Sequence, residues 1–160
     1  MPTMIDEEEK KLNDALNSYS LTVEKLDEIS QKHPDDFLAI INATDPINGR
    51  NLLMKSILKS EELAIKLIEM GGDPFQIDKN GNNSLLLAAQ TYNGKEMVAS
   101  LLDKYPTLLN SENNRKQNAV MLARSRNLPK IIETLIQKGC ADKDNDYLKD
   151  SEDFRHIMNG

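Results

Sequence analysis

The chain has 160 residues and a formal net charge of −6, a length that suits one domain over 1–160. Hydrophobic residues make up 39% and aromatic residues 4%, with no Trp, so aliphatic side chains must form most of the core. No apolar run is long enough to span a membrane, the first ten residues lack a secretory signal, and the single Cys excludes an intrachain disulfide. We therefore expect a monomeric, cytoplasmic (intracellular) protein, although export without a cleaved signal leaves no trace in a sequence.

The first part of the chain predicts a helix pair over 4–18 and 20–33. Apolar residues recur there at three- and four-residue steps: Leu12, Leu16, Val23, Leu26 and Ile29. The stretch from Phe37 to Asp45 is interpreted as a long loop. Residues 4–44 would then form an N-terminal cap with a polar outer face.

Three later segments share one pattern: GRNLLMKSI from Gly49, GNNSLLLAA from Gly81 and KQNAVMLAR from Lys116. Each has Asn in the third place, an aliphatic residue in the fifth and a small residue in the eighth, at offsets of 32 and 35 residues. An aliphatic pair recurs downstream at an offset of 34, as Leu67-Ile68, Leu101-Leu102 and Leu135-Ile136. Two sequence landmarks that recur with nearly the same period predict repeated structural units.

Each unit predicts two short helices. Asn51, Asn83 and Asn118 are suitable N-caps for the first helix, and its small residue lets a neighbouring helix approach closely. The second helix carries the aliphatic pair and ends near Gly71 or Gly139, where a left-handed C-cap is expected.

This pattern resembles the ankyrin repeat, a β-turn finger followed by two helices. The second unit matches the family motif best, at Asp78, Gly81, Leu85, Ala88, Ala89, Val98, Leu101 and Leu102, and the third closes with Gly139-Cys140-Ala141-Asp142. The motif's Thr-Pro is absent, and Lys116 replaces the finger glycine of the third unit. The resemblance implies an all-α, ankyrin-like helical-repeat solenoid of about four helix pairs with β-turn fingers.

The implied boundaries are a degenerate N-terminal capping repeat at 4–44, repeats at 45–77, 78–112 and 113–142, and a C-terminal cap or tail at 143–160. A short closing helix is expected from Ser151 to Met158.

No constellation of catalytic residues is recognisable, so we expect a protein that is not an enzyme and that uses no cofactor, metal or small-molecule substrate. Asp142, Asp144 and Asp146 have the spacing of a calcium loop, but Tyr147 stands where that loop requires glycine. An acidic tail is the better interpretation. Cys140 is interpreted as a small buried apolar residue.

The resemblance implies that the chain binds a partner protein through a concave surface of fingers and first helices. The positions it implies for partner contact are Ile47, Asn48, Arg50, Leu58, Lys59, Lys79, Asn80, Asn82, Gln90, Thr91, Asn114, Arg115, Gln117, Ser125 and Arg126. The high Asn, Ile and Lys content suggests an AT-rich genome, such as that of a bacterium whose proteins act on host proteins.

Charge is distributed unevenly: −6 over residues 1–36, +3 over 37–140 and −3 over 141–160. Eight cations fall in fingers or first helices, opposed there by only Asp78 and Glu112 in this interpretation: Arg50, Lys55, Lys59, Lys79, Arg115, Lys116, Arg124 and Arg126. A basic strip of this kind predicts a protein partner with an acidic surface patch. Nucleic acid or another polyanion is the alternative ligand, disfavoured by the net charge and the few aromatic residues.

Overall fold

The computed structural model describes residues 1–142, and this part of the chain is helical without any strand. A 3₁₀ turn at Pro106–Asn110 accompanies nine α-helices. These are α1 (Met4–Asn17), α2 (Val23–Lys32), α3 (Phe37–Asn42), α4 (Leu52–Ile57), α5 (Glu61–Glu69), α6 (Ser84–Ala88), α7 (Lys95–Lys104), α8 (Ala119–Ser125) and α9 (Pro129–Gln137). The predicted all-α class is confirmed.

The helices stack in two rows. Helices α4, α6 and α8 pack against one another in sequence, and so do α5, α7 and α9, while α4 packs on α5, α6 on α7 and α8 on α9. Helix α1 contacts α4 and α2 contacts α5, so the N-terminal pair extends both rows. Four helix pairs in two rows are a helical-repeat solenoid, as predicted.

The repeated asparagines cap their helices. The Oδ1 atoms of Asn51, Asn83 and Asn118 each accept a hydrogen bond at 3.0 Å from the backbone N–H three residues later. The Nδ2 atom of Asn51 also donates to the carbonyl of Asp73, and that of Asn118 to the carbonyl of Ala141. A threonine could cap the helix but has no amide to make the second bond. At positions 51 and 118, asparagine therefore makes a contact that threonine could not make.

The core follows the repeat period. Residues at equivalent places in the three units have no exposed surface: Leu53, Leu85 and Val120 in the first helices, Leu67, Leu101 and Leu135 in the second, and the small residues Ser56, Ala88 and Ala123. The predicted close approach of neighbouring first helices is therefore present. Gly71 and Gly139 adopt φ values of 100° and 93°, as expected for left-handed C-caps.

Ser56 differs from its two alanine equivalents because its buried Oγ has no hydrogen-bond partner within residues 1–142. Burying a hydroxyl without a partner costs free energy. We expect Ser56→Ala to raise the free energy of unfolding by about 1 kcal/mol, measured by urea denaturation. Ser30→Ala, which removes a partly exposed hydroxyl bonded to the carbonyl of Asp27, is the control. Equal or lower stability of Ser56→Ala would show that the hydroxyl is satisfied.

The interpretation of 37–45 as a loop is wrong, because Phe37–Asn42 forms helix α3. Phe37, Ile40 and Ile41 are buried, and α3 packs against α1 and α4. The Asn42 side chain accepts from the Asp73 N–H at 2.8 Å and donates to the Gly71 carbonyl. Helix α3 therefore joins the cap to the first complete repeat.

The cap also contains a buried carboxylate. The Glu8 side chain is 7% exposed and accepts from Lys11 Nζ at 2.7 Å, with Lys32 Nζ and His33 Nε2 within 3.9 Å. The hydrogen bond from Lys11 lowers the pKa of Glu8 below its ordinary value of 4.5. A lowered pKa in the folded state stabilises the protein above pH 4.5, and this contribution disappears as the pH falls through the lowered value.

We therefore expect Glu8→Gln to be less stable than the parent protein at pH 7, with a difference that shrinks at about pH 3. Urea denaturation at both pH values measures this difference. Lys11→Gln should show the same convergence, since it removes the first cause of the shift. A stability difference that stays constant with pH would contradict the assignment.

The expected closing helix from Ser151 to Met158 and the 143–160 cap lie outside the described residues. Within residues 1–142, every helix is too short or too polar to cross a membrane.

Candidate functional site

The first repeat finger differs in length from two nearly identical ones. Asp78 begins the second finger, and its Oδ1 atom accepts from the backbone N–H groups of Asn80 and Asn82, both at 2.9 Å. Asn113 begins the third finger and accepts from the N–H groups of Arg115 and Gln117, both at 3.0 Å. In these two fingers the N–H of the first residue donates to the carbonyl four residues later, at Asn82 and Gln117. In the first finger the N–H of Asp45 donates to the carbonyl of Arg50, five residues later, so this finger is one residue longer.

Lys116 preserves the finger geometry without a glycine. Gly49, Gly81 and Lys116 occupy equivalent positions, with φ of 76°, 77° and 61°. At Gly81 a Cβ atom would collide with the backbone and side chain of Asn114 in the next finger. No further finger follows Lys116 within the described residues, so its side chain fits and only the left-handed backbone is unfavourable.

We expect Lys116→Gly to raise the free energy of unfolding by roughly 1 kcal/mol, because the left-handed conformation is strained for residues with a side chain. Thermal or urea denaturation measures this effect. Lys79→Gly, in a finger position without positive φ, should not stabilise. A loss of stability in Lys116→Gly would mean that the Lys116 side chain makes compensating contacts.

Neighbouring fingers are joined by hydrogen bonds. Lys79 N donates to the carbonyl of Asn48, and Asn114 N donates to the carbonyl of Asn80. Side chains add a second contact at equivalent places. Arg50 Nε donates to Asp78 Oδ2 at 3.3 Å between the first two fingers, and Asn113 Nδ2 donates to Asn82 Oδ1 at 3.1 Å between the next two. The fingers therefore form a continuous edge, and we call these fingers (45–50, 78–82 and 113–117) with α4, α6 and α8 the finger face.

The finger face contains a polar cavity of about 250 Å³ between the second and third repeats, which we call the amide cavity. Six of the predicted contact residues line it: Asn80, Asn82, Gln90, Asn114, Arg115 and Gln117. The other two lining residues, Asn113 and Leu122, are not among the predicted contact residues. Asn113 could have been found because it aligns with the finger aspartate Asp78.

Asn113 organises the amide cavity. Its Nδ2 atom donates to Asn82 Oδ1 at 3.1 Å and to Gln117 Oε1 at 3.0 Å. The side-chain oxygens of both neighbours are therefore engaged, while their NH₂ groups, like the Arg115 guanidinium, have no hydrogen-bond partner within residues 1–142.

Three other predicted residues meet at a second cavity of about 210 Å³, lined in part by Leu58, Lys59 and Thr91. Leu58 is 46% exposed, and Lys59 Nζ lies 4.8 Å from the centre of the Tyr19 ring.

The remaining six predicted residues line neither cavity. Ile47 is 80% exposed, Asn48 and Arg50 are half-buried, and Lys79, Ser125 and Arg126 are exposed. Asn82, inside the amide cavity, is itself largely buried.

The interpretation of eight cations opposed by only two acids is wrong, because it omitted two carboxylates that the fold brings to this face. Lys55 Nζ lies 3.3 Å from Asp45 Oδ2, and Arg124 forms an ion pair with Asp142. Arg50 pairs with Asp78. Three of the eight cations of the strip are thus neutralised within the protein, whereas the other five are exposed: Lys59, Lys79, Arg115, Lys116 and Arg126.

Two other titratable candidates, Cys140 and Asp142, lie within the described residues, and both contact neighbouring groups. Cys140 is buried, its Sγ lies 3.5 Å from the carbonyl oxygen of Leu109, and burial raises the pKa of its thiol. A raised pKa keeps the thiol protonated and unreactive at neutral pH. Of the calcium-loop residues, Asp142 pairs with Arg124, and Asp144 and Asp146 lie outside the described residues.

No protein-family model matches the chain, and no curated protein matches its sequence significantly. Among solved structures, the chain is similar to the crystal structure of EF0377, an ankyrin repeat protein, with a TM-score of 0.68 and 23% sequence identity. The match covers 83% of this chain and 63% of the other, so the chain spans less than two thirds of that protein's length. At this identity the likeness shows the fold alone. The chain therefore has an ankyrin-like fold of stacked helix pairs.

Proposed function

We propose that this chain is a non-catalytic protein-interaction module that binds a partner protein through its finger face. The observation that carries this proposal is the amide cavity, which unites six predicted contact residues from two repeats. Their unpaired polar groups can form new hydrogen bonds without breaking the bonds between the fingers. The exposed apolar residues Ile47 and Leu58 on the same face offer the contact area that protein interfaces require.

The partner surface we propose is acidic. Five cations are exposed on or beside the finger face: Lys59, Lys79, Arg115, Lys116 and Arg126. Charges of this kind accelerate association with an oppositely charged surface more than they increase final affinity. Because Arg50, Lys55 and Arg124 are paired internally, too few free cations remain for the extended phosphate contacts of nucleic-acid binding. This favours a protein over a polyanion.

The test is affinity capture from cell lysate with quantitative mass spectrometry, using the parent and two charge-matched double variants. Arg115→Glu with Arg126→Glu alters the finger face, whereas Lys95→Glu with Lys130→Glu alters exposed positions on the second helices. We expect at least one protein to be retained by the parent and the second-helix variant but lost from the finger-face variant. With the purified partner, the finger-face variant should associate more slowly and with a weaker dependence on salt.

Equal retention by both variants would place binding elsewhere on the molecule and contradict the proposal. Salt-sensitive capture of nucleic acid by the parent, abolished in the finger-face variant, would favour the polyanion alternative.

A further inference from the structure

We infer that the amide cavity binds a carboxylate carried by a peptide, as an Asp or Glu side chain or as a chain terminus. This inference rests on the proposed function, because it names the group of the partner that the finger face recognises. It depends on the balance of hydrogen-bond donors and acceptors in the amide cavity, on its charge and on its position between two fingers.

Donors predominate among the polar groups that remain unpaired. Asn113 Nδ2 occupies the side-chain oxygens of Asn82 and Gln117, which leaves the two NH₂ groups with no partner within the described residues. Arg115 adds a guanidinium with five N–H donors, and its side chain is exposed. Within residues 1–142, no carboxylate lines the amide cavity. A ligand that only accepts hydrogen bonds and carries a negative charge is therefore complementary to it, and a carboxylate has both properties.

Three free acceptors distinguish a peptide from a simple anion. Gln90 Nε2 donates to the Leu86 carbonyl at 3.0 Å and Asn114 Nδ2 to the Lys79 carbonyl at 3.1 Å. Gln90 Oε1 and Asn114 Oδ1 therefore remain available within residues 1–142, as does Asn80 Oδ1. An amide oxygen in this place suits a backbone N–H and is unfavourable beside the oxygens of a phosphate. Leu122, which is largely buried, supplies an apolar contact for the methylene groups of an acidic side chain.

Hydrogen bonds of the fingers hold the Asn113 side chain, and through it the amides of Asn82 and Gln117, in place before any ligand binds. Asn113 Oδ1 accepts two backbone N–H groups of its own finger, and its Nδ2 donates into the neighbouring finger as well. Hydrogen bonds thus fix both the oxygen and the nitrogen of its side-chain amide. A preorganised donor set loses little conformational entropy on binding.

The experiment is a titration of the isotopically labelled chain, followed by NMR, with short capped peptides. The probes are acetyl-Gly-Gly-Glu-Gly-Gly-amide, its Gln equivalent, acetyl-Gly-Gly-Gly with a free C-terminal carboxylate, and inorganic phosphate. We expect the side-chain NH₂ signals of Asn82 and Gln117 to shift with at least one carboxylate peptide and not with the Gln peptide. The stronger of the two carboxylate peptides identifies the source of the carboxylate.

Two variants test the donors. Arg115→Gln removes the charge from the edge of the amide cavity, and Gln117→Glu keeps the oxygen that accepts from Asn113 while replacing the NH₂ donor with a like charge. Each variant should lower the affinity for the carboxylate peptide by roughly tenfold or more. Lys130→Gln, an exposed cation on α9 that lies outside the finger face and does not line the amide cavity, is the control and should change affinity by less than about twofold.

The inference is overturned if neither carboxylate peptide shifts the amide-cavity signals, if phosphate binds as tightly as both, or if Arg115→Gln and Lys130→Gln behave alike. Its failure is separable from that of the proposed function. A captured partner that Arg115→Gln and Gln117→Glu both retain, but the finger-face double variant loses, contradicts only the carboxylate site. Peptide binding without any partner lost from the finger-face variant contradicts only the proposed function.

Discussion

Ala88→Asp should lower the free energy of unfolding by on the order of 3 kcal/mol or more. Ala88 ends helix α6 and has no exposed surface, and α6 packs between α4 and α8. A carboxylate there would lose its hydration without gaining a charged partner, since the equivalent neighbours are the small uncharged residues Ser56 and Ala123. Because the solenoid is a stack, the damage would extend to both adjacent repeats.

Urea denaturation followed by circular dichroism measures this loss. Ala39→Asp, on the exposed side of α3, is the matched control and should change stability by no more than about 0.5 kcal/mol. Ala88→Gly separates the effect of charge from that of backbone, since glycine adds no polar group and should cost only about 1 kcal/mol. Equal stability of the parent and Ala88→Asp would mean that the alignment of the repeats is wrong.

The features that the sequence predicted correctly are local and repeated. An N-cap such as Asn83 acts on an N–H three residues away, so its role is visible in the order of residues alone. The buried small residues, represented by Ala88, recur at the repeat period. The helix pairs and their caps were therefore predictable.

Helix α3 was missed because its stability is tertiary. Six residues are too few for a helix to form by its own propensity, and Phe37 and Ile40 become informative only once α1 and α4 are known to lie against them. The sequence shows the spacing of the apolar residues but not the helices that cover them.

The basic strip was overestimated for a different reason. A count of charges along the sequence treats every charged side chain as unpaired. Arg50 and Asp78 are 28 residues apart in the chain, and they form an ion pair only because successive fingers lie side by side. The amide cavity has the same origin. Six of the fifteen contact positions implied by the ankyrin resemblance line it, but the role of Asn113 depends on hydrogen bonds to two other side chains that no single-residue alignment shows.

Arg50→Glu should be among the most damaging changes on the finger face. The Asp78 side chain is 2% exposed, and Arg50 Nε approaches its Oδ2 at 3.3 Å. Removing the cation leaves a buried carboxylate without its ion-pair partner, and the new carboxylate adds repulsion. We expect a loss of about 3 kcal/mol in the free energy of unfolding. Arg126→Glu, at the exposed end of α8, should cost no more than about 0.5 kcal/mol by the same denaturation measurement.

The neighbouring pair of fingers indicates how Arg50→Glu can be rescued. There the residue equivalent to Asp78 is Asn113, which keeps the two backbone hydrogen bonds at Oδ1 and donates from Nδ2 to a side-chain oxygen of the preceding finger. With Asp78→Asn, the side-chain oxygen should therefore still accept the two backbone hydrogen bonds of its own finger. The new side-chain NH₂ group should also donate to the carboxylate introduced at position 50. We expect the double variant to recover at least about 1 kcal/mol relative to Arg50→Glu alone, measured as a double-mutant cycle. Additive losses in the cycle would show that the 50–78 contact does not connect the two fingers.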